Sequence, residues 1–329
     1  MPKISVILPV YNAEQYLDVC LNSIVSQSFS DWECICVNDG STDGSLDMLN
    51  GFAAKDGRIK VLSQSNAGPS VARSKGIMAA CGTYILFQDS DDFIENDAYG
   101  RLVELVERTN VDMLGFSYRT YPNNVLSHFS MKTGEVLPPT QLLASTRTPQ
   151  SSDDFSFAWR YMIRRSVLVE NNIKFDSQIS VGEDTLFMME VFSHASSVYL
   201  TDDAPYRYRI DNQHSIMHET RFRPYLDVSL SRLYMKKREL IQKNHWDDFT
   251  PFSFDLANRA VKSYSHMLML NRKANGEPKE KYIREVLLLP MMQDAMKVVG
   301  FRNIFDNWKE YFVYLCMKCC FMPVLKRYF

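Results

Sequence analysis

Three acidic residues directly follow one apolar run of the chain, and their number and spacing suggest a cation site. Asp89, Asp91 and Asp92 come just after the run Thr83–Phe87. Carboxylates this close repel one another unless the turn is fully solvated or a cation lies among them. Alternate carboxylates on a rigid turn suit a hard divalent ion that keeps waters and shares its other positions with phosphate oxygens. The alternative is a solvated Asp-rich turn that caps the next helix.

Further charged groups accompany this turn. Asp39 lies in the segment Asn38-Asp39-Gly40-Ser41-Thr42-Asp43, after another apolar run. Arg73 closes the segment Asn66-Ala67-Gly68-Pro69-Ser70-Val71-Ala72-Arg73. The sequence contains neither the G-x-x-x-x-G-K-[ST] nor the G-x-G-x-x-G phosphate loop. A diphosphate could still be held by a metal and a cation such as Arg73, unless that residue is an ordinary surface arginine.

Short apolar runs alternate with helical patterns in residues 1–90, which predicts an α/β fold with a mostly parallel sheet covered on both faces. The predicted strands are Ile4–Val10, Trp32–Asn38, Ile59–Leu62 and Thr83–Phe87, and the predicted helices are Glu14–Val25, Ser45–Ala54 and Pro69–Ala80. The carboxyl ends of parallel strands meet at one edge of the sheet, where ligands bind. That edge is predicted to hold the ends of these strands, at Pro9, Tyr11, Asp39 and Asp89–Asp92.

The rest of the chain has a less regular pattern. A helix is predicted over Asp97–Asn110, a strand over Val111–Tyr118 and a short helix over Ser166–Asn171. Residues 119–153 are predicted to form an irregular connection or a small hairpin. Val181–His194 shows a helical pattern that begins with Glu183 and Asp184, and the chain beyond Thr220 is predicted to be mostly helical.

The composition excludes some classes of protein. The chain has 329 residues, 46% of them hydrophobic, and a net charge of −2, which does not favour a protein that coats nucleic acid. Its seven cysteines and the absence of a signal-peptide pattern favour a reducing, cytoplasmic compartment. Cys316, Cys319 and Cys320 lack the second pair or histidine that would complete a metal site, so we expect ordinary thiols there.

Four segments together resemble the successive motifs of family 2 glycosyltransferases. They are Ile4–Asn12, Asn38–Asp43, Asn66–Arg73 and Asp89–Asp92, in the same order and spacing. The resemblance covers residues 1 to about 215. It implies a GT-A fold with a donor half at 1–97 and an acceptor half at 98–215, followed by a helical region at 216–329. It also implies that a sugar is transferred, with inversion, from a nucleotide diphosphate to a hydroxyl of a glycan or lipid-linked acceptor. UDP is the nucleotide expected first, and the product would belong to bacterial polysaccharide or glycolipid synthesis.

The resemblance also implies roles for single residues. Pro9, Tyr11 and Asp39 would hold the base, and Asp89 would contact the ribose. Asp91 would ligate Mg²⁺ or Mn²⁺ at the diphosphate. Asp92 would either support the metal-binding residues from behind or contact the donor sugar. The segment Val181–Phe187 resembles the acceptor-side Glu-Asp motif of the family. Asp184 is therefore the predicted base and Glu183 would orient it, unless both are ordinary acids of a first helical turn.

Two weaker features leave alternatives open. Trp159 could offer a platform to the acceptor or pack in the core, and Arg160 follows it where the family often has Asn. The segment from Tyr206 to Arg209, followed by His214 and His218, resembles the part that closes over the diphosphate, where His214 could complete the metal site or be a bystander.

The segment 308–329 is aromatic, apolar and basic, but Lys318 and Pro323 interrupt it, so it is not expected to cross a bilayer. It could lie on the inner face of the cell membrane, or it could pack on the catalytic domain or a second subunit.

Two rival functions remain. A nucleotidyltransferase would need glycine and cations after the first strand, where this chain has Pro9-Val10-Tyr11-Asn12-Ala13-Glu14. A non-catalytic sugar-nucleotide or glycan-binding subunit would be expected to have lost the acidic residues, which are all present.

Overall fold

The computed structural model describes residues 1–145, 154, 157–212, 226–248, 251–275, 280–302 and 308–328. These residues form two compact units. The first unit comprises the described residues of Met1–Thr146, Ser152–Ser177 and Gly182–Ser215, and the second comprises those of Gln178–Val181 and Ile216–Phe329.

Within its described residues, the first unit is built on a ten-stranded sheet. The strands are β1 (Ile4–Val10), β2 (Trp32–Asn38), β3 (Ile59–Ser63), β4 (Tyr84–Phe87), β5 (Phe93–Ile94), β6 (Met113–Tyr121), β7 (Leu126–Ser127), β8 (Val136–Leu137), β9 (Tyr161–Arg164) and β10 (Val198–Arg209). Their order is β3-β2-β1-β4-β9-β6-β10-β5, with β7 beside β6 and β8 beside β10. The first four strands run parallel, which confirms the predicted α/β class.

Seven helices are described in this unit. They are α1 (Glu14–Val25), α2 (Ser45–Lys55), α3 (Pro69–Ala79), α4 (Ala98–Thr109), α5 (Pro139–Ser145), α6 (Arg165–Glu170) and α7 (Glu183–His194). All the helices predicted in residues 1–110 are confirmed with small shifts at their ends. One helix lies very close to the sheet: a Cβ at Gly76 of α3 would come within 2.4 Å of Ile7 Cγ2 in β1. This close packing sets the position of α3 and of the residues it carries.

Several strands of the second half of the sheet were not predicted, and β9 and β10 are the most important of them. β9 lies antiparallel between β4 and β6, and its four residues are too few to give a clear sequence pattern. β10 runs parallel to β6 with an irregularity between Thr201 and Tyr206, where the sequence is Thr-Asp-Asp-Ala-Pro-Tyr. Residues 119–153 were predicted to form an irregular connection or a small hairpin. In their described part, β7 pairs antiparallel with the end of β6, as in a small hairpin, and β8 and α5 follow.

The second unit is helical in its described residues, as the sequence beyond Thr220 predicts. Its helices are α8 (Leu226–Lys243), α9 (Phe252–Asn275), α10 (Glu280–Leu288), α11 (Pro290–Val299), α12 (Trp308–Lys318) and α13 (Met322–Tyr328). Its core includes the buried side chains of Tyr234, Trp246, Tyr264, Met292 and Tyr314. Among the described helices, none is both long and apolar enough to cross a membrane.

Candidate active site

The loops after β1 and β2 are tied together at the carboxyl edge of the sheet. The backbone N–H of Asn12 donates to Ser41 Oγ over 3.1 Å, and the N–H of Thr42 donates to Asn12 Oδ1 over 2.8 Å. Asn12 adopts a φ of 47°, a left-handed conformation that asparagine tolerates better than most residues. Pro9 is half-buried beside this junction, and Tyr11 is half exposed. The ring of Tyr11 is therefore accessible to a ligand at this edge.

Asp39, at the end of β2, holds the loop that leads into α3. Its Oδ1 accepts hydrogen bonds from Gln64 Nε2 (2.8 Å) and the N–H of Ala67 (2.9 Å), and its Oδ2 accepts one from the N–H of Gly68 (2.8 Å). The next residue, Gly40, has a φ of 73°, and a Cβ there would lie 2.8 Å from the backbone nitrogen of Asn66. Asp39 is thus buried and fastens the loop. Its predicted contact with a nucleotide base stays a prediction.

Arg73 joins three carboxylates from distant parts of the chain. Its Nη2 lies 2.9 Å from Asp89 Oδ1, and its Nη1 lies 3.1 Å from Asp184 Oδ1 and 3.7 Å from Glu183 Oε1. Burial by itself lowers the pKa of Arg73, but the carboxylates of Asp184, Asp89 and Glu183 outweigh it and raise the pKa above its ordinary value. The guanidinium is therefore a fixed positive charge, buried rather than on the surface.

Three elements bring this cluster together. Arg73 lies on α3, Asp89 begins the turn after β4, and Glu183 and Asp184 form the first turn of α7. α7 begins after Gly182, whose φ of 81° suits glycine and turns the chain into the helix. Carboxylates at a helix N-terminus are favoured by the partial positive charge of the helix dipole. The sequence-predicted acids Asp89, Glu183 and Asp184 are thus found together around one cation.

Asp184 is a buried carboxylate whose pKa is raised by its surroundings. Its Oδ2 accepts a hydrogen bond from the N–H of Ala158 over 3.3 Å, and its Oδ1 faces Arg73. Burial raises the pKa of Asp184 to about 7, against the opposing effect of Arg73 and with reinforcement from the charges of Glu183 and Asp89. A general base works best when its pKa lies near the working pH.

Asp91 lies in the middle of the acidic turn. Its Oδ2 accepts a hydrogen bond from Asn212 Nδ2 over 2.7 Å. Burial and the charge of Asp89 raise the pKa of Asp91, while the hydrogen bond from Asn212 and the charge of Arg209 lower it. A divalent cation beside these two carboxylates would relieve their repulsion. The chemistry of the carboxylates present therefore fits Mg²⁺ or Mn²⁺, which prefer oxygen ligands.

The described residues do not assemble a complete metal site. Among them, no group of three or more histidine, cysteine or acidic side chains is arranged to hold a metal ion. His214, the other predicted ligand, and His218 both lie outside the described residues. A cation at Asp91 would have to complete its coordination with waters and ligand oxygens, which is how Mg²⁺ commonly binds beside phosphates.

Asp92 connects the acidic turn to β10. Its Oδ2 accepts a hydrogen bond from Tyr206 Oη over 2.8 Å, and its Oδ1 accepts one from the N–H of Arg209 over 2.7 Å. Tyr206 Oη in turn accepts a hydrogen bond from the N–H of Asp89 over 3.1 Å. Asp92 is 1% exposed, so in this structure it supports the turn from within. Its predicted contact with a donor sugar stays a prediction.

The sequence did not reveal three residues that hold the site together. Gln64 donates a hydrogen bond to Asp39, and Asn212 donates one to Asp91, yet neither belongs to a recognisable pattern. Arg209, predicted only as part of a basic segment, donates from Nε to the carbonyl oxygen of Asp91 over 2.8 Å. Single polar residues that act through one hydrogen bond leave no local signal in a sequence.

Trp159 lies in an aromatic cluster and is 2% exposed. Its ring stacks on Tyr206 at a centroid distance of 4.3 Å and on Phe157 at 4.8 Å. Arg160 is fully buried, pairs with Asp154 at 3.4 Å and lies 3.7 Å from the centre of the Phe129 ring. This packing favours the alternative that Trp159 is a core residue, and it directs Arg160 away from solvent.

Comparison with known proteins identifies the family. The sequence model of Glycosyl transferase family 2 matches residues 5–170. The uncharacterized glycosyltransferase EpsJ of Bacillus subtilis is 31% identical over 308 residues, which cover 92% of this chain and 88% of that protein.

Two solved structures are similar to this one. S. aureus TarS 1-349 in complex with UDP-GlcNAc has a TM-score of 0.70 and 21% identity, covering 96% of this chain and 87% of that one. The mannosyltransferase PcManGT of Pyrobaculum calidifontis, in complex with GDP-Man and Mn²⁺, has a TM-score of 0.54 and 14% identity, covering 93% and 88%. The predicted GT-A fold is thereby confirmed, and the chain is an enzyme that belongs to glycosyl transferase family 2.

Proposed function

We propose that the chain transfers a sugar, with inversion, from a nucleotide diphosphate sugar to a hydroxyl of a glycan or lipid-linked acceptor. The observation that carries this proposal is the bridge from Asp89 through Arg73 to Asp184, which sets a candidate base beside the acidic turn. A UDP-sugar is the first donor to test, since TarS, which has a similar fold, was solved in complex with UDP-GlcNAc. Participation in bacterial cell-envelope polysaccharide synthesis is part of the proposal.

The donor nucleotide is proposed to bind at the carboxyl edge of β1, β2 and β4. Tyr11 offers an exposed ring for the base, with Pro9 beside it. Asp39 fixes the loop before α3, which in turn carries Arg73. Asp89 is available for the ribose through the oxygen that does not face Arg73. In this arrangement the protein positions the nucleotide mainly through a preformed loop and a buried cation.

Asp184 is the proposed base of a single displacement. The acceptor oxygen forms a bond to the anomeric carbon of the donor while its proton passes to Asp184. The bond between that carbon and the phosphate oxygen breaks, and the nucleoside diphosphate leaves with the electron pair. Because attack and departure occur on opposite faces, the anomeric configuration inverts. Arg73 keeps Asp184 oriented and favours its ionised form.

A divalent cation is proposed at Asp91, with His214 as a further candidate ligand. When bound, Mg²⁺ or Mn²⁺ would supply positive charge that neutralises the diphosphate of the donor and of the departing nucleotide. Asn212 orients Asp91, and Asp92 holds the turn in place through Tyr206 and Arg209. PcManGT, solved with GDP-Man and Mn²⁺, supports a cation of this kind.

The proposal is tested by separating binding from turnover in Asp184→Asn. Release of UDP from a panel of UDP-sugars is measured for the wild type and for the variant, with UDP affinity measured in parallel. Turnover should fall by about 10²–10⁴-fold, the range typical of a lost general base, while UDP affinity stays unchanged. Glu104→Gln on α4 is the control, because it also replaces a carboxylate by an amide but does so at an exposed position.

Unchanged turnover in Asp184→Asn would reject its role as the base. If the wild type binds sugar nucleotides but shows no turnover, the result would favour the rival function, a non-catalytic binding subunit. The configuration of the product is read by NMR, and retention would contradict the single displacement. If the acceptor is lipid-linked, the reaction takes place at a membrane surface, which the segment 308–329 is proposed to contact.

A further inference from the structure

The two parts of the chain carry opposite charge. Residues 1–215 contain 17 Lys and Arg against 27 Asp and Glu, a net charge of −10. Residues 216–329 contain 20 Lys and Arg against 12 Asp and Glu, a net charge of +8. The overall value of −2 therefore hides a strongly basic helical region. Such a region is attracted to anionic surfaces over distances of about one Debye length, roughly 8–10 Å at moderate salt.

Exposed apolar rings are concentrated in the same region. Among the described residues, every exposed phenylalanine or tryptophan lies between residues 301 and 321, at Phe301, Trp308, Phe312 and Phe321. The other exposed large aromatics are Tyr11 and Tyr121, which carry hydroxyl groups. Four apolar rings on one short stretch are unusual for a surface that meets only water.

Helix α12 has apolar residues on its outer side as well as its inner side. Trp308, Phe312 and Leu315 follow one another at intervals of four and three, so they form a single stripe along the helix, and Cys319 lies just past its end. Trp308, Phe312 and Cys319 are exposed and Leu315 is half-buried. The opposite side is buried and carries the side chains Val313, Tyr314, Cys316 and Met317. The inner side accounts for packing, and the outer stripe is left facing solvent.

Phe301 packs against one flank of α12, and cations are frequent in the sequence around this helix. The hydroxyl of Tyr311 donates to the carbonyl oxygen of Phe301 over 2.7 Å, and Lys318 Nζ lies 5.0 Å from the centre of the Phe301 ring. The described residues from 308 to 328 contain four cations and one acid, namely Lys309, Lys318, Lys326, Arg327 and Glu310. Aromatic rings flanked by lysine and arginine are typical of helices that lie in the interface of a bilayer.

We propose that Phe301 and the outer stripe of α12 dock on the surface of an anionic lipid bilayer. A hydrated polyanion would satisfy the positive charge but would give no apolar environment to Trp308 and Phe312. An apolar protein surface would cover the rings but would gain nothing from the net charge of +8. The bilayer interface satisfies both features, and none of the described helices is long and apolar enough to cross a bilayer. Only the consequence, access to lipid-linked acceptors, rests on the proposed function.

The chain contains a natural reporter for this contact. Of its four tryptophans, Trp32, Trp159 and Trp246 are each 2% exposed, whereas Trp308 is 71% exposed. Tryptophan emission of the full chain is therefore recorded while vesicles are added. Vesicles of phosphatidylglycerol and phosphatidylcholine in equal amounts should shift the emission to shorter wavelength, and pure phosphatidylcholine should shift it far less. Added salt should weaken the effect, because the attraction between exposed charges is screened.

Variants distinguish docking through the stripe from non-specific adsorption of exposed apolar residues to vesicles. Trp308→Ser combined with Phe312→Ser should reduce co-sedimentation with the anionic vesicles by about tenfold or more, since two large apolar side chains no longer enter the interface. Met78→Ser combined with Leu288→Ser is the control, because both are exposed apolar residues elsewhere on the chain. Trp308→Phe should keep co-sedimentation but lose the emission shift.

Two results would overturn the proposal of membrane docking, one from vesicle binding and one from the oligomeric state. Absence of binding to anionic vesicles, or equal binding by the double serine variant, contradicts it. If light scattering shows a dimer without lipid that the double serine variant loses, the stripe is an interface between two copies and the proposal is wrong. UDP affinity should be the same in all these variants, so a failure of membrane docking is distinguishable from a failure of the proposed function.

Discussion

Two neighbouring groups of carboxylates in the active site are stabilised in different ways. Around Arg73, the acids Asp89, Glu183 and Asp184 share a buried guanidinium, which offsets part of their negative charge. In the second half of the acidic turn, Asp91 and Asp92 accept hydrogen bonds from Asn212, Tyr206 and a backbone amide. The first group is held by a buried cation of the protein, whereas the second is held mainly by hydrogen bonds, and the cation proposed at Asp91 would neutralise part of its charge.

This difference suggests a division of roles along four consecutive residues. Asp89 connects the turn to the base through Arg73, and Asp92 anchors the turn to β10. Asp91, between them, is the carboxylate at which we propose the cation. The same residue type would therefore serve as a bridge, a cation ligand and an anchor, and the surrounding partners determine which. Substitutions that remove one partner at a time test whether these roles are separate.

The largest effect on stability is expected for Arg73→Met. The change leaves three carboxylates together without their cation, and breaking a buried ion cluster typically costs about 3–5 kcal/mol in the free energy of unfolding. Urea unfolding followed by circular dichroism measures it. Arg108→Met on the exposed side of α4 is the control and should be near neutral. A loss below about 1 kcal/mol for Arg73→Met would mean that solvent, rather than Arg73, balances the acids.

A smaller loss is expected for Tyr206→Phe, which removes the hydroxyl that joins Asp92 to the N–H of Asp89. The expected cost is about 1–3 kcal/mol, since a buried carboxylate and an amide lose their partner. Tyr99→Phe is a matched control, because the hydroxyl of Tyr99 is equally buried but has no hydrogen-bond partner. It should be neutral or slightly stabilising. Equal losses in the two variants would show that the Asp92–Tyr206 contact does not anchor the turn.

The smallest effect concerns pH. Since burial raises the pKa of Asp184 to about 7, turnover should rise with pH through about 7, as the base loses its proton, and then level off. The charge of Glu183 adds to that pKa, so Glu183→Gln should move the midpoint to lower pH, by roughly half a unit to one unit. The pH dependence of kcat measures both values. A shift to higher pH would contradict the assignment.

The sequence was a good guide where long patterns or linked motifs were present. β1 and β2 were predicted with their observed bounds because each is a mainly apolar run of seven residues. β10 was missed because Asp202, Asp203 and Pro205 interrupt it, although it continues beyond them to Arg209. Asp89 and Asp184 were predicted as site residues from motifs, and the structure brings them to opposite sides of Arg73.

Other features of the site depend on tertiary contacts that a sequence does not display. Asn212 follows Asp91 by 121 positions, and no local pattern indicates that one holds the other. Arg160 was noted only as a departure from the family, yet burial and its pairing with Asp154 make it part of the core. The partner of a single polar residue is set by the fold, so only coordinates reveal it.

The central claim is that Asp91 is left for a cation that supports binding of the diphosphate. Its most direct test is calorimetric titration with UDP, with and without Mn²⁺, of the wild type, Asp91→Asn and the control Asp31→Asn at the opposite end of β2. The account predicts that Mn²⁺ strengthens UDP binding by about tenfold or more in the wild type and in Asp31→Asn, and has little effect in Asp91→Asn. UDP binding that is independent of Mn²⁺, or equally dependent on it in Asp91→Asn, would contradict the account.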